Sequence, residues 1–331
     1  MQNLSQWAAR NRWIWSLIGV VVLWGILSLI TDRLSLHSLS GVATSASFLV
    51  LAALGQMFVV TTGRGNIDLS IASVIAMSAF ASLILSSGSD GNLALGLAAV
   101  LAIGLVVGTV NAVLVVLFRI PAMIATLATG YVLATGTLLA NRHIAGAVAN
   151  PALTFVAAGK VAGVPVMLLV ALAAVILSSL VLGRLAYGRS LSAVGQNLRA
   201  ARLAGVRTGR VVATTFLISS LLAAIDGALL SAYVGGAFLE MGTPYLLQSV
   251  GAVVIGGSLI FGGGSTAVGT FFGCVLLVLI VTTMQIAGLP PGTQDIVQGT
   301  VVIAVLALAG GSAWRRNTRR GTGAAVAARS A

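Results

Sequence analysis

The 331-residue sequence is poor in charge: Asp, Glu, Lys and Arg make up 7% of it, against about 25% in a soluble domain. That excludes an ordinary water-facing surface over most of the chain. There is one cysteine, Cys274, so no disulfide can form within the chain; inside an apolar run it reads as a small buried helix residue. The only lysine, Lys160, precedes Val161, so no G-x-x-x-x-G-K-[ST] phosphate loop exists and the chain carries no ATP site of that kind. The two histidines, His37 and His143, stand far apart and make no metal pair. No Ser/His/Asp set, H-E-x-x-H or carboxylate cluster is present, which argues against a membrane enzyme. Acidic residues number 6 against 18 Lys+Arg, a net charge of +12. Nucleic acid is not implied, because the arginines fall in short loops and at the two ends rather than on a soluble basic domain.

What the chain has instead is hydrophobic length. Residues of apolar type make up 58% of it, in repeated runs long enough to cross a bilayer core. They predict an all-α polytopic membrane bundle of about ten spans, at 14–30, 42–62, 67–86, 93–117, 121–140, 164–183, 211–232, 246–260, 266–287 and 293–310. With both ends in the cytoplasm, these spans leave 15 of 18 Lys+Arg inside and only Arg33, Arg142 and Lys160 outside. That is the positive-inside bias. Segment 246–260 is short enough to re-enter the membrane rather than span it. The first run follows Arg10 and Arg12 but lacks an A-x-A-like cleavage site, so it reads as a retained helix. The expected organisation is a basic cytoplasmic N-terminus (1–13), one transmembrane domain (14–310) with a cytoplasmic loop at 184–210, and a basic tail (311–331) whose Gly/Ala-rich end reads as disordered. The outer stretch 141–163 is long enough for a short element of its own. Trp7, Trp13, Trp15 and Trp314 gather at the cytoplasmic ends, as interfacial anchors do.

Glycine is abundant, with 40 residues. In a membrane, glycines let helix backbones approach closely, and Gly104-xxx-Gly108 and Gly269-xxx-Gly273 have that spacing. A faint echo links the runs opening at Asp68 and Gln248, each an apolar stretch after a polar residue, and points to an old duplication of half the bundle.

Against this apolar background the polar residues are the candidate site. In Thr61–Ser70 (TTGRGNIDLS), two glycines break one apolar run and Asp68 opens the next. Asp68 reads either as a helix cap at a span boundary or as the polar end of a broken helix lining a transport path. In the 184–210 loop, which holds six arginines, Asn197 is a good N-cap and Gly205 a good terminator. They predict a two-turn helix over Leu198–Ala204, offering Ala200, Ala201, Leu203 and Ala204 as small apolar contacts and Arg199 and Arg202 as charge. So short a helix is marginal alone, and it rests on the bundle, on a partner or on anionic headgroups. Asp226, in the outer half of 211–232, is costly there unless protonated or satisfied at an interface. Asn111 has the cheaper default of an interhelical hydrogen bond.

The run Ala193–Val206 (AVGQNLRAARLAGV) closely resembles the cytoplasmic coupling segment of permease subunits in ribose-type bacterial ABC importers. Asn66–Ser70 resembles that family's Gly-Ile-Asp-Leu-Ser segment. Ile120–Leu127 (IPAMIATL), Ala252–Gly257 (AVVIGG) with Gly262–Gly264 after it, and Gln294–Val302 (QDIVQGTVV) are also similar to the family, in its order, so the likeness runs from about residue 42 to 310. The resemblance implies a channel-forming subunit without catalytic residues or cofactor. A second copy or a paralogue would pair with it in the inner membrane. A cytoplasmic ATPase would grip Gly195, Asn197, Arg199, Ala200, Ala201, Arg202 and Gly205, and a periplasmic binding protein would deliver the solute. Asn66, Asp68, Ser70, Asn111 and Gln248 are the expected pathway residues; being largely uncharged, they suit a sugar or similar neutral hydroxylated solute. Branched-chain amino acids or nucleosides are the nearest alternative cargo. An ion-coupled transporter using Asp68 and Asp226 is the alternative from another class. This chain also departs from the family: Arg64 adds a cation to the Gly63–Asn66 turn, Leu246–Gln248 replaces a Glu-Leu-Asp, Gln298 stands where lysine is common, and Asp226 stands where a small or apolar residue is usual.

Overall fold

The computed structural model describes residues 13–31, 36–86, 92–144, 147–290, 292–301, 303, 304 and 307. Trp7, Trp314, Arg10, Arg12, Arg33 and the tail lie outside the described residues. Helix α1 is Trp13–Thr31, α2 Leu36–Thr61, α3 Ile71–Leu85, α4 Leu93–Ala112, α5 Ala122–Ala140, α6 Pro151–Ala158, α7 Val166–Gly183, α8 Ala186–Gln196, α9 Leu198–Leu203, α10 Thr208–Val234, α11 Thr243–Ile255 and α12 Ala267–Ile286. A last helical run covers 292–301. Short strands β1 (Lys160–Val161) and β2 (Val164–Pro165) pair antiparallel before α7, and with α6 they are the small element expected in 141–163.

Among the described residues, six helical stretches are long and apolar enough to cross a membrane: Ser40–Thr61, Leu93–Leu117, Ala122–His143, Val166–Gly183, Thr208–Val234 and Ala267–Ile286. Their all-round hydrophobicity is what a lipid-facing or fully packed helix requires. Helices α3 (15 residues) and α11 (13 residues) are apolar but short. At 1.5 Å per residue each covers roughly 20 Å of a core about 30 Å thick. The expected span at 67–86 therefore starts late: residues 67–70 are not helical, and Ser70 is the N-cap. Expected span 246–260 ends at Ile255.

The order long, short, long occurs twice, as α2, α3, α4 and as α10, α11, α12, and the packing repeats with it. Helix α10 packs on α3 and α4; α2 packs on α11 and α12; α3 meets α4 as α11 meets α12; and α2 meets α10. A two-fold repeat of helix order and packing is thus visible in the contacts. Its residue-level echo is not, because Asp68 precedes α3 whereas Gln248 lies inside α11.

The glycine pairs seat these contacts. A Cβ on Gly104 or Gly108 would come within 3.0 or 2.8 Å of the α10 backbone at Leu221 or Leu217. A Cβ on Gly269 or Gly273 would meet the carbonyls of Gly256 or Ala252 on α11. The predicted close approaches are real, and they join α4 to α10 and α11 to α12. Trp13 stacks on Phe272 of α12 at 5.9 Å, while Trp15 stays exposed.

Candidate functional site

The α2–α3 connection is made by three successive residues in left-handed conformation, Gly63 (φ 78°), Arg64 (φ 62°) and Gly65 (φ 72°). Glycine carries this without penalty; arginine does not. The turn is closed by Asn66 N–H donating to the Gly63 carbonyl and Asn66 Nδ2 donating to Thr62 Oγ1 at 2.9 Å. The chain then runs non-helically into the bundle, where its backbone needs side-chain partners. It finds them: Asp68 N–H donates to Gln56 Oε1 of α2, and Leu69 N–H to Thr126 Oγ1 of α5.

Asp68 is the hub of this region and is fully buried. Its Oδ1 accepts from Ser70 N–H at 3.0 Å and from Ser70 Oγ at 2.5 Å; its Oδ2 accepts from Ser219 Oγ of α10 at 2.7 Å. Asn111 of α4 donates through Nδ2 to Ser70 Oγ at 2.9 Å. One carboxylate therefore ties α3, α4 and α10 together. The capping role is shifted: Asp68 sits two residues before the N-cap and organises Ser70 rather than the first turn of α3. Asn111 makes the interhelical bond expected of it. Gln56 Nε2 and Asn111 Oδ1 are buried with no partner among the described residues.

Of the expected pathway residues, Asp68, Ser70 and Asn111 are joined by hydrogen bonds, and Asn66 belongs to the same connecting segment. Gln248 is elsewhere: its Nε2 donates to Gln298 Oε1 at 2.7 Å. The hydrogen bond joins α11 to the helical run 292–301. Asp226 is fully buried, with neither oxygen hydrogen-bonded among the described residues. Its neighbour Gly227 would drive a Cβ into the Ile75 carbonyl, so α10 is pressed against α3 there. Gln56, Thr126 and Ser219 were not foreseen as site residues. Thr126 lay in a quoted motif, whereas Gln56 and Ser219 lay in none.

The second part of the site is the 184–210 segment. It holds two helices rather than one. Helix α8, absent from the sequence reading, buries Gly188, Leu191 and Val194. Burial of the Tyr187 phenol, whose hydroxyl faces the Val211 carbonyl at 3.4 Å, pushes its pKa up. Helix α9 begins as its sequence predicts: Asn197 Oδ1 accepts from Arg199 and Ala200 N–H at 3.0 Å each, and Gly205 follows the helix with φ 82°. Ala201 is buried on the bundle, while Ala200, Arg199, Arg202 and Ala204 are exposed and Leu203 is 90% exposed.

Three quoted motifs meet beneath these helices. A Cβ on Gly195 would fall 2.0 Å from the Thr61 carbonyl and 2.3 Å from Gly263 N. Gly263 N–H donates to the Thr61 carbonyl at 3.0 Å, Thr61 Oγ1 to Ser265 Oγ at 2.7 Å, and Gln196 Nε2 to the Gly263 carbonyl at 3.4 Å. The end of α2, the end of α8 and the loop after α11 are therefore in close backbone contact.

The comparisons with known proteins agree with this architecture. The family described as "Branched-chain amino acid transport system / permease component" matches residues 38–306. The chain is 33% identical over 318 residues to the autoinducer 2 import system permease protein LsrC of Escherichia coli (strain K12 / DH10B), covering 94% of this chain and 91% of that one. It is 32% identical over 304 residues to LsrC of Enterobacter sp. (strain 638), covering 91% and 87%. LsrC of Yersinia enterocolitica is 30% identical over 318 residues, covering 92% and 84%. No solved structure matches the chain. A multi-pass helical bundle, a polar break knotted by Asp68 and a short capped helix beside a close backbone junction meet a match over most of the chain: the protein belongs to this family of inner-membrane transport permeases, as a permease subunit of an ABC importer.

Proposed function

We propose that this chain forms half of a translocation pathway for a small neutral polar solute, paired with a second copy or paralogue and driven by a cytoplasmic ATPase that grips α9. A periplasmic binding protein delivers the solute to the opposite end. The observation that carries the reading is the exposure of Leu203: an apolar side chain 90% exposed on a six-residue helix whose other side, at Ala201, is buried. Such a tip is an anchor for a groove in another protein. Arg199 and Arg202 flank it with charge, and the Gly195 junction carries its motion to α2 and the loop after α11. A neutral polar solute suits this chain better than an ion, because both oxygens of the buried Asp68 are already occupied by protein donors.

The test is reconstitution in proteoliposomes with the candidate ATPase and binding protein. Leu203→Asp, Asn197→Pro and charge reversal of Arg199 with Arg202 should each abolish solute-stimulated ATP hydrolysis while the purified bundle keeps its melting temperature. Uptake that needs no ATPase and ignores all three changes would overturn the reading in favour of an ion-coupled carrier.

A further inference from the structure

A cavity of about 400 Å³ opens beside α9, between the α2–α3 turn, the α4–α5 turn and the start of α10. Arg64, Arg119 and Arg202 line it, with Thr62 and Asn66 as neutral polar neighbours, and no carboxylate lines it. A shallower groove continues from it past Arg199. None of these four arginine side chains has a hydrogen bond or ion pair among the described residues. Like charges gathered without a counter-charge repel.

Two further observations give the cavity one sign. Helix α5 starts at its wall, with Ala122 and Met123 in the lining and no side-chain cap at Pro121. Helix α10, of 27 residues, also starts there, with Thr208 and Gly209 in the lining and no side-chain cap at Arg207. Helix starts without a side-chain cap present N–H groups and the positive end of the helix dipole, although Thr208 N–H already donates to the Val206 carbonyl at 2.8 Å. Two of the arginines are also held in left-handed backbone, Arg64 at φ 62° and Arg119 at φ 57°. Arg119 ends the π turn Val113–Leu117, where Pro121 stops the helix and glycine would be the unstrained choice.

We propose that this cavity binds a phosphoryl oxyanion, held by Arg64, Arg119 and Arg202 and by the starts of α5 and α10. Planar guanidinium forks and helix N-termini are the two protein groups best matched to phosphate. The source is either a small phosphorylated solute or the headgroup of an anionic phospholipid. Because Leu198 and Arg202 of α9 form part of the wall, an occupied site ties α9 to the two turns and restrains its movement. This inference does not rest on the identity of the ATPase or of the transported solute.

The experiment uses the full chain in nanodiscs of phosphatidylcholine, titrated with radiolabelled inorganic phosphate and with a pentose 5-phosphate. A parallel preparation in phosphatidylcholine with phosphatidylglycerol measures the phosphatidylglycerol retained per chain. The variants are Arg64→Gln with Arg119→Gln, and Arg119→Gly alone. The last relieves left-handed strain, so its melting temperature should hold or rise and misfolding cannot explain a loss of binding. The wild type should bind one ligand per chain, and the double variant should bind it at least about tenfold more weakly. Saturable free phosphate binding that phosphatidylglycerol leaves unchanged identifies the solute source; retained phosphatidylglycerol that is lost in the double variant identifies the headgroup. If binding of neither ligand depends on Arg64 and Arg119, the proposal is wrong.

Discussion

Two buried carboxyl groups in this bundle have opposite surroundings, and that difference predicts opposite responses to substitution. Asp68 accepts three hydrogen bonds, from Ser70 N–H, Ser70 Oγ and Ser219 Oγ. Asparagine keeps an acceptor for the Ser70 pair and can donate to Ser219 Oγ, whereas leucine strands all three donors. Asp68→Asn should therefore cost about 1–2 kcal/mol and Asp68→Leu about 3 kcal/mol or more in detergent unfolding. Ser219→Ala, which removes one bond to the carboxyl, should fall between them; equal losses for all three would mean Asp68 is not the hub. Asp226 makes no such bonds among the described residues. Its replacement by leucine, of similar volume, should raise the melting temperature, since an unpartnered buried polar group is removed. A fall would show that a partner outside the described residues satisfies it. That Asp68 matters was legible from its place after a glycine break. That Ser219 completes it was not, because a serine 151 positions away gives no local signal.

At the scale of elements, α9 was legible nearly to the residue because its signals are local: an asparagine whose side-chain oxygen caps one end and a glycine at the other. Helix α8 was missed because its pattern is that of a soluble amphipathic helix, with Gly188, Leu191 and Val194 on one face, inside a loop read for its charge. Asn197→Ala should cost about 1 kcal/mol, the worth of a helix cap, and should lower ATPase coupling more than it lowers the melting temperature. Gly195→Val is a harsher test of the junction below. Its side chain would overlap the backbone at Thr61 and Gly263, where no rotamer gives relief. The expected outcome is loss of folded protein or separation of α8 from the bundle, seen as new protease cleavage within 184–196. Unchanged cleavage and stability would mean the junction opens readily and does not transmit force.

At the scale of the whole molecule, hydrophobic length and charge distribution carried the class of the fold, while half-length helices blurred the span count. A 13-residue helix such as α11 satisfies hydropathy while being shorter than a full span. The duplicated order of long, short and long helices was only hinted at in sequence, because packing can repeat where side chains have diverged. Sidedness was the firmest expectation from charge, and it has a direct test. Cys274 is fully buried, so the wild type should resist a membrane-impermeant maleimide and single new cysteines can be read against it. Lys160→Cys lies on an exposed strand before α7, and Leu203→Cys lies on α9 after it, with α7 the one membrane-long helix between them. Lys160→Cys should label in intact spheroplasts and Leu203→Cys only after permeabilisation. The reverse pattern would place the arginine-bearing end outside the cytoplasm and remove α9 from the reach of any ATPase. Labelling of both from one side would mean α7 does not cross, and the positive-inside reading of the 184–210 loop would fall with it.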